Sequence, residues 1–190
     1  MKVFNLLSLL LIGNLLVAGP VKPVKKTIDT SKSNIAWTAA KVTGKHNGDV
    51  KVKSGTIEVD GNKLVGGSFV VDMTSLTVLD LQGKGKENLE GHLKSDDFFS
   101  TATHTEASLV ITKVTPKAMA GEFMVDASLT IKGIKHPIKF DAKVDGNMAT
   151  AKIKVDRTKY DIKYRSGNYF TDLGDKLIYD EFDLEVSLAY

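Results

Sequence analysis

Apolar and polar residues alternate along the second half of this chain with almost no errors. Phe123, Val125, Ala127, Leu129 and Ile131 form one series, and Ile134, His136, Ile138, Phe140, Ala142 and Val144 form the next. Ala151, Ile153 and Val155 make a third, and Phe182, Leu184, Val186, Leu188 and Tyr190 close the chain. A period of two marks extended strands with one dry and one wet face. Such strands, joined by short turns and with little helix to cover them, bury their apolar faces by curling into a sandwich or a barrel. A small barrel is either solid or holds one ligand.

The first half is less regular. Thr27–Asp29 begins a short strand, and Asn34–Val42 carries a longer one with Trp37 in its middle. His46-Asn47-Gly48-Asp49 reads as a turn. Val50 and Val52 have the opposite parity to Ile57 and Val59, which places a β-bulge at Ser54-Gly55. Asp60-Gly61-Asn62 is a hairpin turn. Leu64–Met73 follows with Val65, Phe69, Val71 and Met73 on one face and Leu64 and Val70 on the other, so both faces are expected to be covered. Leu76–Gly85 reads as loop. Lys86–Lys94 is the one helical segment, with Leu89, His92 and Leu93 on a common face. Strands over about 104–114, 122–132, 134–144, 148–156 and 177–190 bring the total to about eight, in an all-β domain with one short helix.

Residues 1–18 are set apart from that domain. Lys2 precedes an apolar run from Val3 to Val17 broken by Asn5, Ser8, Gly13 and Asn14, with small residues at Ala18 and Gly19. This is the layout of a secretory signal peptide, too short and interrupted for a membrane span. Residues 19–26 then form an extended linker, and 27–190 the domain. The chain has no cysteine, so neither disulfides nor an N-terminal lipid on cysteine is available. Export to a periplasm or cell surface, with no stable membrane anchor after cleavage, is the expected destination.

The net charge of +3 falls by one when Lys2 leaves with the leader. Arg157 and Arg165 are the only arginines among 26 basic residues. Lys135, Lys139 and Lys143 lie on a solvated strand face, where they discourage edge pairing. Clustered arginines with stacking aromatics are missing, so nucleic acid is not an expected partner.

Catalytic constellations are equally scarce. There is no Gly-x-Ser-x-Gly elbow, and Gly83-Lys84-Gly85-Lys86 lacks phosphate-loop spacing. His46, His92, His104 and His136 show no metal-ligand spacing, and no metal site is expected. His136, on an apolar strand face before Pro137, reads as structural. His92 lies on the helix face expected to meet the barrel, where it donates either to a ligand head group or to a loop carbonyl. Asp96-Asp97 and Asp180-Glu181 read as solvated turn carboxylates. Phe98 and Phe99 are adjacent, so in regular backbone one fills the core and the other reaches a cavity or covers the barrel end. Arg157 and Arg165 are expected to pair locally with Asp156, Asp161 or Asp172.

Two segments carry a resemblance. Leu89-Glu90-Gly91-His92-Leu93-Lys94-Ser95-Asp96-Asp97-Phe98-Phe99 resembles the signature of the YceI-like family, in which a helix bearing H-L-(R/K)-S leads into D-F-F. Leu129-Thr130-Ile131-Lys132-Gly133-Ile134-Lys135-His136-Pro137-Ile138 resembles its second signature. Ser33–Trp37, Ser68–Leu76 and Asp156–Tyr160 fall where that family places comparable strands, and the similarity runs over about 27–190. Glu90-Gly91 stands where many relatives carry Arg-Asp, so a head-group role for that arginine does not transfer. The Tyr164–Gly167 loop resembles one branch only.

The resemblance implies a lipocalin-like, eight-stranded antiparallel barrel of exported bacterial proteins. It further implies an isoprenoid chain held inside, such as a polyprenyl phosphate or a quinone tail, and no other cofactor. Trp37, Phe69, Val71, His92, Leu93, Phe98, Leu109, Ile111, Val125, Leu129, Ile131, Ile138 and Phe140 are then the expected ligand-binding residues. Two other readings compete: a solid-cored barrel serving protein interaction, and a lipid-modifying enzyme using His92 with a nearby carboxylate.

Overall fold

The structure, a computed structural model, describes residues 22–190; the expected leader lies outside the described residues. The strands are β1 (Val24–Thr27), β2 (Asp29–Lys41), β3 (Gly44–Asp60), β4 (Lys63–Val78), β5 (Glu106–Pro116), β6 (Glu122–Ile131), β7 (Ile134–Asp145), β8 (Met148–Asp156) and β9 (Ile178–Ala189). One α-helix, α1 (Gly83–Lys94), lies between β4 and β5. Every pairing is antiparallel, each strand from β2 to β9 pairs with the next, and β9 returns to β2. The result is an eight-stranded closed barrel. Closure removes the free edges that a nine-stranded open sheet would present.

β1 is the ninth strand and stands outside the ring. It pairs with the second half of β3, Val24 opposite Val59 and Thr27 opposite Thr56, while β2 pairs with the first half. Part of the expected linker is therefore sheet: the chain enters the fold at Val24, and Ile28 is buried in the core.

The alternation in β6, β7, β8 and β9 is kept residue for residue, with Phe123, Val125, Ala127, Leu129 and Ile131 all buried. The bulge at Ser54 is present as a register shift between Val52 and Ser54. It lets Val50, Val52, Ile57 and Val59 all face inward.

Three expectations for the first half need correction. His46–Asp49 is not a turn; the chain reverses at Val42-Thr43, and Gly48 sits inside β3 opposite Trp37. A Cβ at Gly48 would lie 1.8 Å from the Thr77 carbonyl oxygen. Glycine is there to let β4 and the Trp37 indole approach, and that indole donates to the same Thr77 oxygen at 3.2 Å. Leu76–Gly85 is not a loop throughout, because β4 continues to Val78 and α1 starts at Gly83. Nor does Leu64 lie on the outer face of β4, where Val70 is half-buried. A register shift between Glu58 and Val59 brings Leu64 to the same inner side as Phe69 and Met73, and leaves Val65 exposed.

The two barrel ends differ. Short turns at 61–62, 117–121 and 146–147 make the lower end, where Ile28, Val59, Leu64, Phe123, Val144 and Leu188 are buried together. The Tyr190 hydroxyl donates to the Gly146 carbonyl there at 3.1 Å. The upper end holds the β2–β3 turn, α1 with the segment leading to β5, and the long connection 157–177.

That connection exists because β7 and β8 pair only from Asp141–Lys152 down to Asp145–Met148. Above this ladder the strands part. A 3-10 turn, Arg157–Tyr160, fills the wedge, started by Asp156 accepting from the Thr158 amide and hydroxyl at 3.0 and 2.6 Å. Tyr160 places its ring edge-on to His136, 5.4 Å between centroids.

Candidate functional site, an apolar slot inside the barrel

The inward side chains do not meet everywhere. They leave a cavity of about 180 Å³. On β9 alone its lining runs from Ile178 to Leu188, which is about 33 Å of strand at ~3.3 Å per residue. So small a volume over such a length is a thin slot, not a chamber.

Room for the slot comes from small residues on one wall. Ala142 of β7 faces Ala151 of β8, with Ala149 next to it, and all three border the space. The opposite wall is Phe69, Val71, Leu109 and Ile111 from β4 and β5. At the lower end the lining residues Ile57, Leu64, Val125 and Leu188 are buried, whereas at the upper end Leu93, Phe99 and Ile178 are half-buried and Tyr179 is exposed. Ile28, Val59, Phe123 and Val144 are buried outside the lining and close the slot below.

Phe98 and Phe99 both border it, contrary to the expectation that neighbours would diverge. Regular backbone would separate them. Here the chain turns after α1, with the Phe98 amide bonded to the Ser95 carbonyl, Phe99 to Leu93 and Ser100 at φ 47°. Phe99 then meets Phe182 of β9 edge-on at 6.3 Å.

Of the thirteen expected residues, Trp37, Phe69, Val71, Leu93, Phe98, Leu109, Ile111, Val125, Leu129, Ile131 and Phe140 border the slot. Ile138 and His92 stand outside its lining. Ile138 faces inward opposite Ala127 and packs in the core. His92 is turned away from the space and held between Phe98 and Tyr164, at 4.9 and 4.8 Å and nearly perpendicular to both. Its Nε2 lies 3.1 Å from Asp97 Oδ2.

Sequence reasoning missed the alanine wall and Phe99, Phe182, Leu184 and Val186. The alternation already marked the β9 residues as inward, and a run of inward alanines among larger residues was the readable sign of empty space.

Arg157 is the charged residue on the lining. Its Nε donates to the Tyr179 carbonyl, Nη1 to the Ile162 and Tyr164 carbonyls, and Nη2 to the Ile178 carbonyl and Asp180 Oδ1, at 2.8–3.2 Å. These contacts use all five donors of a guanidinium. The expected partners Asp156, Asp161 and Asp172 are replaced by Asp180 and four backbone oxygens. Arg157 therefore clips the 157–180 segment over the barrel and has no donor left for a guest. Burial works against its charge, and the carboxylate and carbonyls offset that cost.

Glu90 has a matching role on α1. It accepts from Thr77 Oγ1 at 2.7 Å and the Val78 amide at 2.8 Å, with Lys86 Nζ at 3.6 Å. Those bonds, Thr77 foremost, hold its carboxyl below the usual range. No residue of α1 is fully buried, so Glu90 and Leu93 are what fasten the helix to the barrel. Among the described residues no three metal-ligating side chains converge.

A closed antiparallel barrel of eight strands around an apolar slot is the architecture of lipocalin-like proteins. Residues 27–190 match the YceI-like domain, and the chain belongs to that family. Its fold is similar to the crystal structure of Burkholderia cenocepacia BcnA, with a TM-score of 0.68 at 18% identity over 86% of this chain and 99% of that one. It is similar to a polyisoprenoid binding domain from Saccharophagus degradans implicated in plant cell wall breakdown, with a TM-score of 0.59 at 15% identity, covering 85% and 95% of the two chains. A Campylobacter jejuni YceI protein gives a TM-score of 0.53 at 16% identity over 98% and 90%. No curated protein matches the sequence.

Proposed function

We propose that this protein is an exported, non-catalytic carrier that holds the hydrocarbon tail of an isoprenoid-like amphiphile in the slot. The observation that carries the reading is an apolar space lined along most of the barrel's length, closed below and bordered above by half-buried Leu93, Phe99 and Ile178. A similar fold in a polyisoprenoid binding domain supports it. Burying about 400 Å² of prenyl tail at roughly 25 cal/mol per Å² releases on the order of 10 kcal/mol. Association and ordering take back at least about 4 kcal/mol. Micromolar affinity then needs no polar contact.

The guest enters tail first. Ile28, Val59, Phe123 and Val144 close the lower end, and Arg157, the lining cation, has every N–H engaged. A charged head has no free partner inside and stays at the upper opening, since an unpaired buried charge is costly. His92 and Asp97 lie outside the lining, which supports a carrier over an enzyme acting on the bound chain. The leader-like residues 1–18 support export to the periplasm or outside the cell.

Organic extraction of protein purified from its native host, followed by mass spectrometry, tests the proposal. A stoichiometric prenyl-tailed lipid is the expected result. Recovery of no lipid, together with failure to take up a fluorescent prenyl probe, would remove it.

A further inference from the structure

The upper end carries apolar surface that the slot does not use. Val42, Leu79, Tyr169, Phe170 and Tyr179 are each about half exposed, between 49% and 57%. Backbone contacts gather them at this end. The Val42 amide bonds to the Leu177 carbonyl, Leu79 to Asn47, Phe170 to Ser166 and Ile178 to Arg165. Ile178, the neighbour of Tyr179 in β9, borders the slot, so the exposed residues lie at the slot's upper end.

Cations surround the patch. Lys163 Nζ stands 5.1 Å over the Tyr169 ring and the Arg165 guanidinium 5.0 Å over Tyr164. Two local acids are already engaged, Asp161 by Lys163 at 2.7 Å and Asp180 by Arg157. Among the described residues, Lys41, Lys45, Arg165 and Lys176 have no carboxylate within 4.0 Å. Asp172 and Asp175 are the acids of the 157–177 segment in the same position, which leaves cations in excess.

Aromatic side chains with a polar tip settle at the headgroup level of bilayers, and basic residues beside them add attraction to anionic lipid. We propose that the upper end is a membrane-docking face. Tyr169 and Phe170 enter the interface, Arg165, Lys176, Lys41 and Lys45 meet lipid phosphates, and the slot opens directly onto the bilayer. This inference rests on the carrier reading for its purpose. A water-insoluble tail then passes between bilayer and slot without crossing water. No helix among the described residues is long and apolar enough to span a membrane.

Flotation of the full mature protein with vesicles, either phosphatidylcholine alone or phosphatidylcholine with phosphatidylglycerol, provides the test. Wild type should float with the mixed vesicles and lose binding as salt rises. The Tyr169→Ser/Phe170→Ser pair should partition at least about tenfold less. Arg165→Gln and Lys176→Gln should each lower binding to mixed vesicles about fivefold at low salt, with little change on phosphatidylcholine. Met119→Ser, at an exposed site on the lower end, should float like wild type.

Equal flotation of the aromatic pair variant and wild type would overturn the proposal. So would an equal loss in Met119→Ser, or a concentration-dependent dimer that the pair variant abolishes. Probe uptake in solution separates the two readings. Wild type that takes up a prenyl probe but never floats refutes the docking face alone. Wild type that floats but takes up no probe refutes the carrier alone.

Discussion

The lower and upper ends of the barrel are built from opposite kinds of sequence. Below, strands of strict alternation meet through two-residue and five-residue turns, and Ile28, Val59, Phe123 and Val144 close the core. Above, β7 and β8 part, the chain leaves its period of two, and one arginine with five hydrogen bonds does the work that a whole layer of side chains does below. Regular patterning gives a sealed core. An opening needs irregular chain, and irregular chain needs polar fastening because its backbone groups have no ladder.

Arg157 gives the largest expected effect of breaking that contrast. Arg157→Met keeps the apolar stem but strips partners from Asp180 and four carbonyls. A loss of about 3–5 kcal/mol is expected in urea denaturation, with fast amide exchange confined to 157–180 if the barrel below survives. A change under about 1 kcal/mol would mean that the segment is held some other way.

Next comes a matched pair. Phe123→Ala at the sealed end should cost about 3–5 kcal/mol, the usual range for a fully packed phenylalanine. Phe140→Ala, on a wall that already borders empty space, should cost roughly half as much. Equal losses would show that the slot closes in solution.

Glu90 sharpens the comparison through pH. Its carboxyl titrates lower in the folded protein than in the unfolded chain, so the stability it contributes is complete above the unfolded carboxyl range near pH 4.3. That stability drains away as pH falls through the depressed folded value. Glu90→Gln should lose about 1 kcal/mol at neutral pH and show a flatter acid slope than wild type. Identical slopes would remove Glu90 as the helix fastener.

The smallest effect has the opposite sign. The Tyr160 hydroxyl is buried without a hydrogen-bond partner, and burial, then the Asp156 charge, pushes its pKa up to about 12. Tyr160→Phe keeps the wedge against His136 and removes the orphan oxygen. A gain of about 1 kcal/mol is expected; a loss would reveal a partner for that hydroxyl.

How much was legible follows the same division. Strands β6 to β9 could be read because one face of each is wet and the other dry, and Val125, Leu129, Ile131 and Phe140 of the slot follow from that parity. The β4 bulge was misread because Val65 and Leu64 exchange faces at a register shift, which a count of alternating residues cannot see. Gly48 looked like a turn because a glycine required by close approach of β4 and a turn glycine carry the same letter. His92 sits on the helix face that periodicity assigned, but Tyr164 and Phe98 enclose it, and both arrive from irregular chain. Arg157 was expected beside acids near it in sequence, whereas four of its five bonds go to carbonyls, which have no sequence signature, and the fifth to Asp180.

The central claim is that the space between the alanine wall and the wall of Phe69, Val71, Leu109 and Ile111 holds a lipid tail. Prenyl-probe uptake by Ala151→Phe tests it most directly, with circular dichroism and thermal melting confirming the barrel. The account predicts a folded protein in which the added ring fills the slot and uptake falls at least about tenfold, the loss of roughly 1.4 kcal/mol or more of binding. A folded Ala151→Phe protein that takes up the probe as wild type does would place the guest elsewhere and contradict the account.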